Sequence, residues 1–261
     1  MASGYVPVAV RHARHVPIFD QGQLGSCTGN AAVGCLASGP FYDTVEMLIP
    51  TWDENLAVSV YSAATAIDGY QGTYPPDDTG SDGLSVAQVL KARAWVSGFT
   101  HVLTKADGVA QALSGTNGKD GFPIIVGVPW YSSMFEPDSH NFVSIAAGAT
   151  VEGGHEFVVD EYIPPASAAN VAAFGCQNSW GPGWGDAGRF YLSAGTLQRL
   201  LSEQGDATVF TPLTAPAPEP ITDPALARLL AKTAHWRKSS VPWIGAQGAQ
   251  RELNRYIGAI S

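Results

Sequence analysis

Apolar and small residues recur at helical spacing in the first hundred positions and at strand spacing afterwards. Residues 26–37 (SCTGNAAVGCLA) are almost all small or apolar, which predicts a buried helix with Ser26 as its N-cap. Gly29 and Gly34 lower its intrinsic propensity, so packing must hold it. A second helix is expected over 55–67. A third is expected over about 85–97, with Val86, Val89, Leu90 and Ala94 on one face. In the second half the period shortens. Runs 123–128 (PIIVGV), 141–147, 155–162 (HEFVVDEY), 174–178 and 188–192 read as strands. Helices followed by antiparallel strands predict an α+β chain with two lobes.

The pattern breaks near position 211. Residues 211–220 (TPLTAPAPEP) carry four prolines, which favour extended polyproline II and mark a boundary. The expected organisation is a body over 1–210, a linker over 211–222 and a helical tail over 223–261. Asp223-Pro224 suits a helix start, with Asp as cap and Pro in the first turn. Leu253, Tyr256, Ile257 and Ile260 then form an apolar stripe that asks for a surface, on the body or on another chain.

Composition narrows the function classes. The net charge is −9 with 14 Lys+Arg and no basic stripe, so no nucleic-acid partner is expected. Arg11, His12, Arg14 and His15 form a short basic run that reads as a solvated face. The apolar run 122–130 is too short to span a bilayer, and neither a signal peptide nor a membrane segment is expected. That places the chain in the cytoplasm or in an assembly such as a virion. Few lysines and many Ala and Gly suit a GC-rich bacterial or phage source. Three cysteines, Cys27, Cys35 and Cys176, do not make a disulfide scaffold. No metal or cofactor is expected: Val159 stands where an HExxH motif needs its second histidine, and no EF-hand register surrounds Asp77, Asp78 and Asp82.

Three segments carry candidate chemistry. Cys27 opens the first predicted helix, where unpaired N–H groups favour a thiolate. His155 follows Gly153 and Gly154 and opens an apolar strand. A catalytic imidazole needs an orienting partner, and the carboxamide of Asn178 is a candidate, with Trp180 covering their bond. Acyl transfer also needs donors placed at the developing oxyanion, and Gln21 with the Cys27 amide are candidates.

The segment QGQLGSC resembles the glutamine-to-cysteine segment of papain-like cysteine peptidases, with Gln21 six positions before Cys27. The stretch NSWGPGWGDAGRFYLS resembles their Asn-Ser-Trp-Gly signature, and GGHEFVV stands where they carry their histidine. Such peptidases place His and Asn about 130–150 residues after the cysteine. Here the separations are 128 and 151. The resemblance implies a papain-like fold, a helical lobe plus an antiparallel β-barrel-like lobe, with peptide held in the cleft between them. It implies a thioester on Cys27, with His155, Asn178 and Gln21 in the roles above. Gly80, Ser81, Asp82 and Gly83 match the glycine-rich segment that holds the peptide backbone. An ordinary polar turn is an equal reading of them. Gly154, Glu156, Trp180 and Trp184 complete the candidate substrate-binding set.

Departures from the family matter too. Leu24 replaces a cysteine often paired in a disulfide, and Thr28 replaces a common aromatic, as in disulfide-poor bacterial relatives. Glu156 replaces a small residue, which either admits a basic substrate side chain or closes a pocket. Only 20 residues precede Gln21, so no inhibitory propeptide is expected there. Two other function classes fit the same motifs. One is a non-catalytic binding or assembly protein on this fold, such as a virion component. The other is a transpeptidase or amidase using the same site.

Overall fold

The computed structural model describes residues 6–101, 104–115, 121–167 and 170–213. The tail and most of the linker, with Asp223-Pro224 and the stripe from Leu253, lie outside the described residues.

Four helices come first: α1 (Cys27–Leu36), α2 (Tyr42–Val45), α3 (Glu54–Thr65) and α4 (Gly83–Ala92). Each of the longer predicted helices is present, with shifted ends. α3 begins one residue early because Asp53 caps it, accepting the Leu56 N–H at 3.0 Å. α4 begins at Gly83 because Asp82 accepts the Ser85 N–H at 2.7 Å. It stops at Ala92 because Ala94 turns left-handed (φ 55), which ends helical propagation before position 97. Ser26 occupies the cap position of α1 without capping it. Its φ of −89 and ψ of 18 lie outside the extended region in which a serine hydroxyl reaches the next turn.

The strands are β1 (Val10–Arg11), β2 (Gly98–His101), β3 (Ile124–Tyr131), β4 (Val151–Ile163), β5 (Ala173–Gln177), β6 (Arg189–Ser193) and β7 (Asp206–Thr211). They form an antiparallel sheet in the order β2-β7-β3-β4-β5-β6, with β1 pairing to β4. Two further helices, α5 (Ala106–Ser114) and α6 (Ala194–Ser202), were not anticipated. The run 141–147 is not a strand. Asn141 is left-handed (φ 63), and only an isolated bridge joins Phe142 to Tyr191. β7 reaches Thr211, one residue into the segment read as linker, because Thr211 pairs with Gly98.

Period-two alternation divides the apolar residues between two cores. On β3, Ile124, Val126, Val128 and Trp130 point into the core shared with α5 and α6, while Ile125 points into the core built on α1, α3 and α4. β4 does the same: Phe157 and Val159 face one core and Val158 the other. One sheet thus has a helical layer on one face and a second core on its other. α1 and α3 cross closely, since a Cβ on Gly29 would lie 2.3 Å from the Ala57 carbonyl oxygen.

The basic run near the N-terminus is a solvated face only at Arg11 and His15. Arg14 donates to Gln177 Oε1 at 2.6 Å and stacks over Phe19 at 4.7 Å, and His12 Nε2 meets the Leu113 carbonyl at 2.9 Å. Alternation exposes Arg11, Ala13 and His15 and turns His12 and Arg14 inward.

Candidate functional site

Cys27 is the first residue of α1, directly after the Gly25–Ser26 turn. That turn is anchored from across the fold. The Gly25 N–H donates to both Asp78 carboxylate oxygens, at 3.1 and 2.9 Å, and the Tyr61 hydroxyl donates to Asp78 Oδ1 at 2.6 Å. The Gly80 N–H in turn donates to the Tyr61 oxygen at 3.1 Å. A Cβ on Gly25 would meet Asp78 Oδ1 at 2.8 Å, so a side chain there would displace the carboxylate that braces the turn. This network joins the turn before Cys27 to the Gly80–Gly83 segment.

His155 lies on β4, on the same face as Phe157. Its Nε2 meets Asn178 Oδ1 at 2.8 Å. Asn178 Oδ1 also accepts the Ser179 N–H at 2.8 Å, which fixes it as the acceptor atom. Nε2 therefore carries the proton, and Nδ1 is left with its lone pair. Aromatic rings hold the imidazole: Trp130 meets it edge-on and Trp180 at a tilt, each at 4.8 Å, and Phe135 stacks on Trp180. Trp130 shares a strand face with Val126 and Val128, a register legible in the run 122–130.

Gln21 joins the two halves of the site. Its N–H donates to the Ser179 carbonyl at 2.9 Å, and its Oε1 accepts from the Ser179 hydroxyl. Its Nε2 donates one hydrogen to the Leu24 carbonyl at 2.8 Å, leaving the second free.

Gln21, Cys27 and His155 line a cavity of about 700 Å³. Gly80, Ser81, Asp82 and Gly83 form one wall of it, and Gly154, Glu156 and Trp180 another. Within the polar segment Asp82 is also the α4 cap and Ser81 donates to Asp68 at 2.7 Å, so the turn reading and the wall position hold together. Trp184 does not line the cavity. It packs behind Trp180 and donates to the Phe135 carbonyl at 2.8 Å. A Cβ on Gly153 or Gly154 would meet no atom, so the backbone there is open to an approaching ligand.

Burial pushes the Cys27 thiol up to about 11, and backbone N–H groups of Glu156, Thr28 and Cys27 at the sulfur offset this only in part. Cys27 keeps some of its surface open to the cavity, so water there moderates the push. Burial likewise lowers His155 to about 4, against the raising effect of Asn178. The two groups make no hydrogen bond to each other among the described contacts. Burial thus favours the neutral form of each group, against the thiolate that the start of α1 favours. Cys35 and Cys176 are fully buried and unpaired by any disulfide.

Two neighbours escaped the sequence reading. Asp206 lies beside Glu156, brought there by β7, a strand that was not anticipated. Asp78 attracted notice only as a rejected metal ligand. No helix among the described residues is long and apolar enough to cross a membrane.

No family model and no curated protein sequence matches the chain. Its fold is similar to that of xylellain, a cysteine protease from Xylella fastidiosa, at 17% identity and a TM-score of 0.60, over 80% of this chain and 88% of that one. It is similar also to digestive procathepsin L 3 of the Tenebrio molitor larval midgut, at 14% identity and a TM-score of 0.51, over 81% of this chain and 72% of that one. The ragweed cysteine protease Amb a 11 in its proform matches at 15% identity and a TM-score of 0.51, over 83% of this chain and 69% of that one. The chain has the papain-like fold.

Proposed function

We propose that this papain-like chain is a cysteine peptidase that cleaves peptide bonds through a thioester on Cys27. The observation that carries the reading is the His155 Nε2 to Asn178 Oδ1 bond of 2.8 Å on the wall of the cavity that Cys27 also lines. Asn178 holds the tautomer whose Nδ1 accepts a proton. The thiol proton passes to Nδ1 as sulfur attacks the carbonyl carbon. The free hydrogen of Gln21 Nε2 and the Cys27 N–H stabilise the oxyanion. His155 then protonates the leaving amine and activates water to hydrolyse the thioester.

With burial favouring the neutral form of both thiol and imidazole, the nucleophile forms during attack. One total protonation state then spans the range between the two pKa values. For a substrate with no ionising side chain, kcat/KM should stay flat between limbs near pH 4 and pH 11. A stored ion pair would instead give limbs set by a low thiol and a high imidazole value.

A peptide-library cleavage profile, run with wild type and Cys27→Ala side by side, tests the reading. Cleavage by the wild type alone is expected. Equal cleavage by both, or by neither, excludes it. The missing hydrogen bond between Cys27 and His155 favours a second reading, a binding protein on the same fold. That protein would bind peptides, cleave none and leave Cys27 unlabelled.

A further inference from the structure

The cavity holds a second group of side chains that the reaction does not use. The strand order β7-β3-β4 puts Gly127 between Asp206 and Glu156 in one cross-strand row, on the sheet face toward α4. Gly83 opens α4 above this row. A Cβ on Gly83 would lie 2.7 Å from Glu156 Oε1, and one on Gly127 would lie 3.1 Å from Glu156 Oε2. Two glycines thus let one carboxyl group pack against the backbone of α4 and β3. Glu156 is 4% exposed, and its Oε1 has no hydrogen-bond partner. Asp206 Oδ1 has none either, with His101 Nδ1 at 3.8 Å and committed to Thr208 at 2.7 Å. Asp82 adds a third carboxylate on the same wall.

An unpartnered buried carboxyl is costly, and its site is completed by a matching donor. Among the described residues no three acidic, imidazole or thiol groups converge as metal ligands. Glu156, Asp206, Asp82 and Tyr70 all line the cavity that Cys27 lines, so a long side chain with a terminal cation entering from the cleft would meet carboxyl groups and an aromatic ring together.

We propose that Glu156 and Asp206 form a specificity pocket for a lysine or arginine side chain of the peptide substrate. This deepens the peptidase reading and rests on it for the word substrate, though binding can be read without turnover. Burial, then Asp206 and Asp82, raise the Glu156 pKa well above its ordinary value. A cation entering the pocket favours the ionised form of Glu156, whose proton passes to solvent.

The test measures binding of fluorescent peptides to full-length Cys27→Ala protein. Each peptide carries lysine at one position, and its counterpart carries norleucine there. At one position lysine should bind at least about tenfold tighter, and Glu156→Gln with Asp206→Asn should erase the difference. Gly127→Ala should weaken lysine peptides without removing charge, and thermal unfolding verifies that each variant is folded. Equal binding of lysine and norleucine peptides at every position overturns the pocket. So does a lysine preference that survives the double variant, or no binding of any peptide. Cleavage by the wild type is scored separately: turnover without a cation preference rejects the pocket and leaves the peptidase, and a cation preference without turnover does the reverse.

Discussion

At the residue scale, burial moves the titration of His155 and Glu156 in opposite directions. His155 is lowered to about 4 from an ordinary value of 6.5. The unfolded chain binds its proton first as pH falls, so folding loses stability between about pH 6.5 and pH 4. A shift of this size corresponds to roughly 3 kcal/mol. Urea melts at pH 7 and pH 4.5 should show the loss, and His155→Phe should remove part of it. Glu156 has the opposite sign. Its raised value means that the folded chain keeps a proton which the unfolded chain releases, so stability is present below about pH 4.5 and falls as pH rises. Glu156→Gln should therefore raise the melting temperature at pH 8 and change it little at pH 4.5. A variant destabilised at pH 8 would mean that Glu156 is paired there.

Residue types and spacing made Gln21, Cys27, His155 and Asn178 legible, because each stands in a short motif. They did not disclose the protonation state of the thiol. That depends on burial and on the backbone of Glu156, 129 positions away in the chain. The Asp206 carboxyl was illegible for a different reason. Its meaning comes only from lying across Gly127 from Glu156.

At the element scale, α1 is held by its neighbours and not by propensity. It has two glycines, an uncapped start and Asp78 bracing the turn before it. Asp78→Ala removes the acceptor for both the Gly25 N–H and the Tyr61 hydroxyl. It should cost about 1–3 kcal/mol in denaturant unfolding. The same change should lower kcat/KM of the proposed reaction, because it frees the turn before Cys27 and the Gly80 segment together. Asp78→Asn should restore much of both. If activity is untouched while stability falls, the bracing does not reach the site. α1, α3 and α4 were legible from apolar spacing. The overrun of α4 past Ala92 was not, because the left-handed Ala94 has no sequence mark such as glycine. α6 carried a readable Leu197, Leu200 and Leu201 stripe after the Ser193 cap. β2 and β7 have little pattern of their own and exist as each other's partners.

At the scale of the whole molecule, one sheet separates two cores, and a buried ionic cluster ties its strands to the N-terminal arm. Asp160 on β4 accepts from Arg189 on β6 at 2.6 and 2.7 Å and from Gln177 on β5 at 2.7 Å, and Gln177 accepts from Arg14. Asp160→Ala leaves the Arg189 guanidinium buried without its main partner. It should destabilise by about 3–5 kcal/mol in denaturant unfolding, well beyond an ordinary surface change. Loss below 1 kcal/mol would mean that the cluster is solvated. For the segment after Pro220, we propose a docking role. Truncation there should alter activity or assembly, and sedimentation with a peptide assay reads both.

The proposed role of Cys27 as nucleophile is tested by intact-mass analysis after treatment with a peptidyl epoxide. One added inhibitor on Cys27 is expected in the wild type and none in Cys27→Ala. A label that persists on Cys35 or Cys176 in the variant, or a wild type that takes up none, would contradict it.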